Sequence, residues 1–223
     1  MLFQTAAEPR EGTRERILSA ALDLFGERGL TGATVRDIAA RAKVNVAAIS
    51  YHFGGKEELY RAVATAIAEG IAGRVRARVP AILGGPPADL GPEEAALALE
   101  ALIDAVVDVI VGPAEMRRVA RFMLREQMQP TAAFEILYGT LSRLHAAACI
   151  LLASAAECEA ETAEMRLRAF MMVGQVLVLR IAEAAVQRRL GIESYDDAFL
   201  AQAKMLLRQN VRALVAAARE TRS

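Results

Sequence analysis

TVRDIAARAKVNVAAISYHFGGKEELYR, residues 34–61, decides the fold: it reads as a short helix, a tight turn, a second short helix and the start of a long third one. Thr34 is placed to cap the first of these, its hydroxyl accepting the Asp37 backbone N–H, and the Asp37 carboxylate suits the positive end of the helix dipole. Val35, Ile38, Ala39 and Ala42 recur at the spacing of one apolar face, with Arg36, Asp37, Arg41 and Lys43 turned away. Asn45 offers a second cap, and Val46, Ile49 and Phe53 supply the buried side of the next helix. Helices below about 12–15 residues are marginal in water, so a further helix must hold both. The stripe Ile17, Leu18, Ala21, Leu22 and Phe25, opened by a Thr13 cap and ended at Gly29, supplies it.

The outward face of the second short helix carries the functional signal. Asn45, Ala47, Ala48, Ser50, Tyr51 and His52 are small or hydrogen-bonding, which suits entry into a DNA major groove about 12 Å wide. Lys56, after the Gly54-Gly55 break, and Thr13 with Arg14 at the start of the first helix are candidate phosphate contacts. Thr34, Val35 and Arg36, opening the neighbouring short helix, complete the candidate DNA-binding set. Read from these residues alone, an ordinary helical hairpin with a solvated face fits equally well.

Composition sets outer limits. A chain of 223 residues with 54% apolar content can bury two small cores or one of moderate size. Net charge is zero, so attraction to nucleic acid has to come from a local patch. Residues 1–56 carry eight Lys/Arg against six Asp/Glu, hence a mild +2. Cys149 and Cys158 form no C-x-x-C pattern and read as reduced thiols. The competing class is an all-helical enzyme or metal-binding bundle. Carboxylate-bridged metal bundles need Glu-x-x-His pairs, and neither His52 nor His145 has Glu three residues before it. Only the i, i+4 placement of His145 and Cys149 speaks for such chemistry, so no catalytic residue, metal or cofactor is expected. Charge-free stretches fall short of the roughly 20 residues of a membrane span, and no signal pattern opens the chain, so a cytoplasmic protein is expected.

The remaining pattern is helical. Residues 1–12 read as a flexible arm; Leu59, Tyr60, Val63, Ile67 and Ile71 continue a long helix from Lys56 towards Leu83. Gly and Pro residues place a loop at 84–92. Helices are then expected over 93–111, 114–128, 131–154 and 162–190, and from Ser194, which with Asp197 forms a capping box. Phe122, Met123, Phe134, Tyr138, Leu141 and Met171, with Arg125, Glu126 and Gln175 as polar anchors, are candidates to line an effector pocket, although Met and aromatic stripes also make plain core. In the last two helices, Phe170, Val173, Gly174, Leu177 and Ile181, and Phe199, Ala203, Leu206, Leu207 and Leu214, are apolar over much of the circumference. Such faces suit a two-fold homodimer.

From about Thr13 to Ala64 the chain resembles the DNA-binding domain of the TetR family of bacterial transcription regulators. The resemblance rests on Thr34-Val35, Ile38-Ala39 and Ala42, then on Val44, Ile49, Tyr51-His52-Phe53, Lys56-Glu57 and Leu59 in one register. Residues 44–60, VNVAAISYHFGGKEELY, are most similar to regulators of the CecR-like kind. Lys43 departs from the family's usual Gly, and a left-handed residue there costs about 1 kcal/mol. The resemblance implies an all-α fold: a three-helix helix-turn-helix DNA-binding domain over 13–60 and a helical effector-binding and dimerisation domain over 61–223. It further implies a regulator that is not an enzyme and that binds a double-stranded, pseudo-palindromic operator as a homodimer. A small hydrophobic or amphipathic effector is expected to release it, with the fourth helix as lever.

Overall fold

The computed structural model describes residues 9–79, 90–160 and 162–220, which contain helices and no strand. In order these are α1 (Pro9–Gly32), α2 (Val35–Ala42), α3 (Val46–Phe53), α4 (Lys56–Arg76), α5 (Pro92–Val106) running into a π-helical segment (Val107–Val111), α6 (Met116–Met128), α7 (Ala132–Ala156), α8 (Ala163–Ile181), α9 (Glu183–Leu190) and α10 (Asp197–Glu220). Two compact units form, Met1–Gly70 with Glu115–Thr140, and Ile71–Ala114 with Leu141–Ser223. The division expected at 60/61 follows chain order, whereas these units interleave: α6 and the start of α7 belong with the first three helices.

In the first unit the local signals act as read. Thr34 accepts the Asp37 N–H at 3.1 Å, and Asn45 Oδ1 accepts the Ala47 N–H at 2.9 Å. Both helices therefore start where a short side chain satisfies an orphan donor. Ile17, Leu18, Ala21, Leu22 and Phe25 are buried together with Ile38, Ala39, Ala42 and Ile49. Val46, expected inside, is 40% exposed, because in the first turn of α3 it projects beyond the three-helix core. Thr13 does not cap α1: the helix already starts at Pro9, in keeping with the preference of Pro for a first helical position, and the Thr13 hydroxyl accepts from Arg16 at 3.2 Å. The arm expected over 1–12 lies outside the described residues up to residue 8 and is helical beyond it.

Lys43 closes α2 in the left-handed conformation (φ 54°, ψ 50°), the position at which glycine is the unstrained residue. Lys43→Gly is expected to stabilise the protein by about 1 kcal/mol, raising its melting temperature by about 2–4 °C for a chain of this size. The same change removes a cation from the candidate DNA surface, so DNA affinity is expected to fall as stability rises.

The second unit is organised by α5, the π-helical segment, α8 and α10. Pro92 is the first residue of α5, Glu94 accepts the Gly91 N–H at 3.3 Å, and the helical run ends before Gly112-Pro113 as expected. Glu100, Asp104 and Asp108, four residues apart, pair in turn with Arg212 (2.7 Å), Arg208 and Lys204 (2.5 Å), locking the register of α5 against α10. Hydrogen bonding to Asp104 raises the Arg208 pKa, and hydrogen bonding to Glu100 raises that of Arg212. The single helix expected over 162–190 is two, α8 and α9, bent by 75°. The expected Ser194 cap is also displaced: Asp196 accepts the Phe199 N–H at 2.8 Å and α10 begins at Asp197. By length and composition α7 is long and apolar enough to cross a membrane, with 39% of its most apolar window buried. The sequence reading missed this by counting only charge-free residues. The core helix of a soluble protein meets the same measure. Residues 80–89, most of the expected loop at 84–92, lie outside the described set.

Candidate DNA-binding site

The surface of α3 is built from the two caps outward. Asn45 begins the helix and is itself exposed, and one turn on α3 buries a single side chain, Ile49. That leaves Ala47, Ser50 and Tyr51 exposed, with Ala48 and His52 half-buried. Tyr51 is 72% exposed and meets only the His52 ring, edge-on at 5.1 Å between centroids. Small residues at the start of the helix let its backbone approach a groove, and the hydrogen-bonding groups further along are turned outward to meet base edges or phosphates. Thr34 and Arg36 are exposed at the start of α2, and Val35 is half-buried there.

The cations divide into two sets. Arg28 is paired with Asp37 at 3.1 Å, and Arg41 with Glu27 at 3.4 Å and Asp23 at 4.0 Å. Each of these is neutralised within the unit. Arg36 and Lys43 are exposed and have no acidic partner among the described residues. The Arg14 guanidinium lies over the Phe53 ring at 5.2 Å, an arrangement that leaves its charge available. Lys56 Nζ donates to the Ala33 carbonyl at 3.4 Å, tying the start of α4 to the residue before the α2 cap. Five of the nominal eight, Arg14, Arg16, Arg36, Lys43 and Lys56, thus have no acidic partner among the described residues and are the candidates for phosphate attraction, a concentration that the mild net charge of +2 concealed.

The α3–α4 link fixes how α3 is presented. Gly54 (φ 85°) and Gly55 (φ 149°) both adopt conformations that disfavour a side chain, and the Gly54 N–H caps α3 on Ser50 O at 2.9 Å. Tyr60, in the next turn of α4, is buried with its ring 4.7 Å from that of Phe25 and 5.0 Å from that of Phe122. Its hydroxyl donates to Glu126, whose other oxygen accepts from the Thr131 N–H at 3.1 Å and hydroxyl at 2.9 Å. The sequence pattern held no signal for this network, since its partners are 66 residues apart.

The effector-pocket candidates are not brought together within either unit. Phe122 and Glu126 are fully buried against Tyr60, and this corrects their expected place in a pocket: every oxygen of Glu126 is already engaged and neither side chain faces open space. Met123 and Arg125 are half-buried on α6, where Arg125 donates to the Glu27 carbonyl at 3.0 Å. Phe134 stacks on the exposed Tyr138 at 6.0 Å, also in the first unit. Leu141, Met171 and Gln175 belong to the second, Met171 exposed and Gln175 accepting from Asn210 at 2.6 Å. There His145 lies 3.9 Å from the Phe170 ring, 3.2 Å from the Arg166 carbonyl and 3.7 Å from Cys149 Sγ. No group of three or more possible metal ligands occurs among the described residues.

Comparison with known proteins places this geometry. Residues 17–63 match the family described as bacterial regulatory proteins, tetR family, and residues 95–218 match the C-terminal domain of the HTH-type transcriptional dual regulator CecR. The chain is similar to that dual regulator from Shigella flexneri, 33% identical over 192 residues that cover 84% of both chains. It is 52% identical over 54 residues to the HTH-type transcriptional repressor Rv3405c of Mycobacterium tuberculosis, covering 24% of this chain and 29% of that one. Among solved structures it resembles a TetR-like transcriptional regulator from Rhodococcus sp. RHA1, with TM-score 0.63 and 23% identity over 96% of this chain and 99% of the other, a likeness of fold.

Proposed function

The chain belongs to the TetR family of bacterial transcription regulators, with a CecR-type C-terminal domain, and from that premise we propose that it is an effector-responsive repressor acting as a homodimer in the cytoplasm. DNA binding by a regulator of this family is established by the matches; repression, the effector and the dimer are the reading advanced here. The observation that carries it is the exposed, polar face of α3, held by Asn45 at one end and Gly54 at the other. The relative named as a repressor is similar over 54 residues, while the one similar along most of the chain is named a dual regulator.

Exposed Leu167, Phe170, Leu177, Val178 and Ile181 on α8, with Met205 and Leu206 on α10, support a homodimer, since an apolar face of this extent calls for cover. Two copies of α3 would then reach successive major grooves about 34–36 Å apart. A small hydrophobic or amphipathic effector would weaken DNA binding by the factor by which DNA weakens its own binding.

Selection of duplexes from a random pool, followed by fluorescence anisotropy on the recovered site, tests this. Five available cations per chain, doubled in a dimer, give an expected slope of log affinity against log salt of about −5 to −9. Half-sites one helical turn apart are expected in the recovered sequence. A slope near zero, or recovery of no shared sequence, overturns the proposal.

A further inference from the structure

We infer that Glu126 is a positioning residue for DNA binding: through Tyr60 it fixes the first turns of α4, and with them the tilt at which α3 is presented. This inference rests on the established DNA-binding activity alone and is independent of any effector.

Three observations carry it. Glu126 is 0% exposed, yet its partners are hydroxyls and a backbone N–H rather than a cation: Tyr60 on one oxygen, the Thr131 N–H and hydroxyl on the other. A buried carboxylate is a costly way to fill space, and an apolar residue of similar volume often stabilises more, so the network is better explained by the geometry it specifies than by the stability it adds. Second, it joins three elements at one point. Tyr60 is in α4, Glu126 in α6, and Thr131 opens α7, where its hydroxyl also accepts the Ala133 N–H at 3.1 Å. Third, α3 has little of its own to hold it. It is eight residues long, packs on α2, buries only Ile49, and is joined to α4 by two glycines, so the pose of its C-terminal end is shared between α2 and the first turn of α4. The Lys56 bond to Ala33 and the Tyr60 bond to Glu126 are then successive pins on one helix end. Burial, followed by the hydrogen bond to Glu126, raises the Tyr60 pKa well above its ordinary value, which keeps the phenol a donor.

The test uses the full chain, the duplex it selects from a random pool, and bulk genomic-type DNA as the non-specific probe. Tyr60→Phe keeps the ring between Phe25 and Phe122 and removes one oxygen. It is expected to lower affinity for the selected duplex about ten-fold while non-specific affinity stays within about two-fold, because non-specific binding needs charge but not the tilt of α3. Glu126→Gln is expected to lose a similar factor, and the double variant no more than the larger single loss, since both act on one bond. Thr131→Ser should retain wild-type specificity and Thr131→Val should lose it. Specific affinity within about two-fold of wild type in Tyr60→Phe, or specific and non-specific affinities falling together in step with the melting temperature, overturns the assignment. Should Glu126→Gln fail to fold, the Tyr60→Phe and Thr131→Val results decide alone.

Discussion

Tyr51→Ala is expected to lower affinity for the selected duplex by about 30- to 1,000-fold while leaving the melting temperature of the free protein unchanged. The size follows from symmetry: one side chain meeting a base edge or phosphate contributes about 1–2 kcal/mol, and a two-fold dimer on a two-fold site loses it twice. The unchanged stability follows from exposure, because Tyr51 is 72% exposed and its one ring contact, with His52, is on the surface. Phe53, two residues on, gives the contrast: it is half-buried with Arg14 over its ring, so Phe53→Ala should cost stability as well as affinity. Anisotropy at fixed salt, paired with thermal melts at fixed protein concentration, separates the two. A Tyr51→Ala variant that binds as tightly as wild type would move recognition away from the outward face of α3.

The DNA-binding head was legible in the sequence because its determinants are local. Thr34 to Asp37, Asn45 to Ala47 and the left-handed turn at Lys43 are each settled within two or three residues, where side-chain capping and φ preference decide the outcome before any tertiary contact forms. Even the missed start of α1 carried a local signal, Pro9 at a first helical position. The second unit was legible in composition but not in its breaks. Nothing at Ala182 announces the α8–α9 bend; it is stabilised by Arg180, whose carbonyl acceptors are 67–70 residues earlier in the chain. Ser194 and Asp196 are both good capping residues, and the choice between them goes with Tyr195, whose hydroxyl donates to the Leu179 carbonyl at 2.7 Å while its ring stacks on Phe199. The burial of Phe122 and Glu126 escaped the sequence for a related reason. Helical spacing shows that Phe122 and Glu126 share a face, but not that the face meets Tyr60.

Arg180→Met is expected to be the most destabilising of these changes, by about 3–5 kcal/mol, because it leaves a buried carboxylate and several carbonyls without their donor. Arg180 is 5% exposed near the end of α8. Its Nε donates to Ile110 O at 3.0 Å and its Nη2 to both Val111 O and Pro113 O, carbonyls that the end of the π-helical segment leaves without backbone donors. The remaining nitrogen meets Glu183 at 2.7 Å, and Gln187 donates to that carboxylate's other oxygen at 3.2 Å. One guanidinium thus closes the helical run that began at α5, and also fixes the turn between α8 and α9. Methionine fills the same volume without donors, so any loss measures unsatisfied polar groups rather than a cavity. Glu183→Gln should cost distinctly less, since the amide oxygen still accepts from Arg180 and the carbonyls of residues 110–113 keep their partner. Urea unfolding of both variants at fixed protein concentration checks the order; a loss below about 1 kcal/mol for Arg180→Met would mean that water or a rearranged segment satisfies those carbonyls as well as the arginine does.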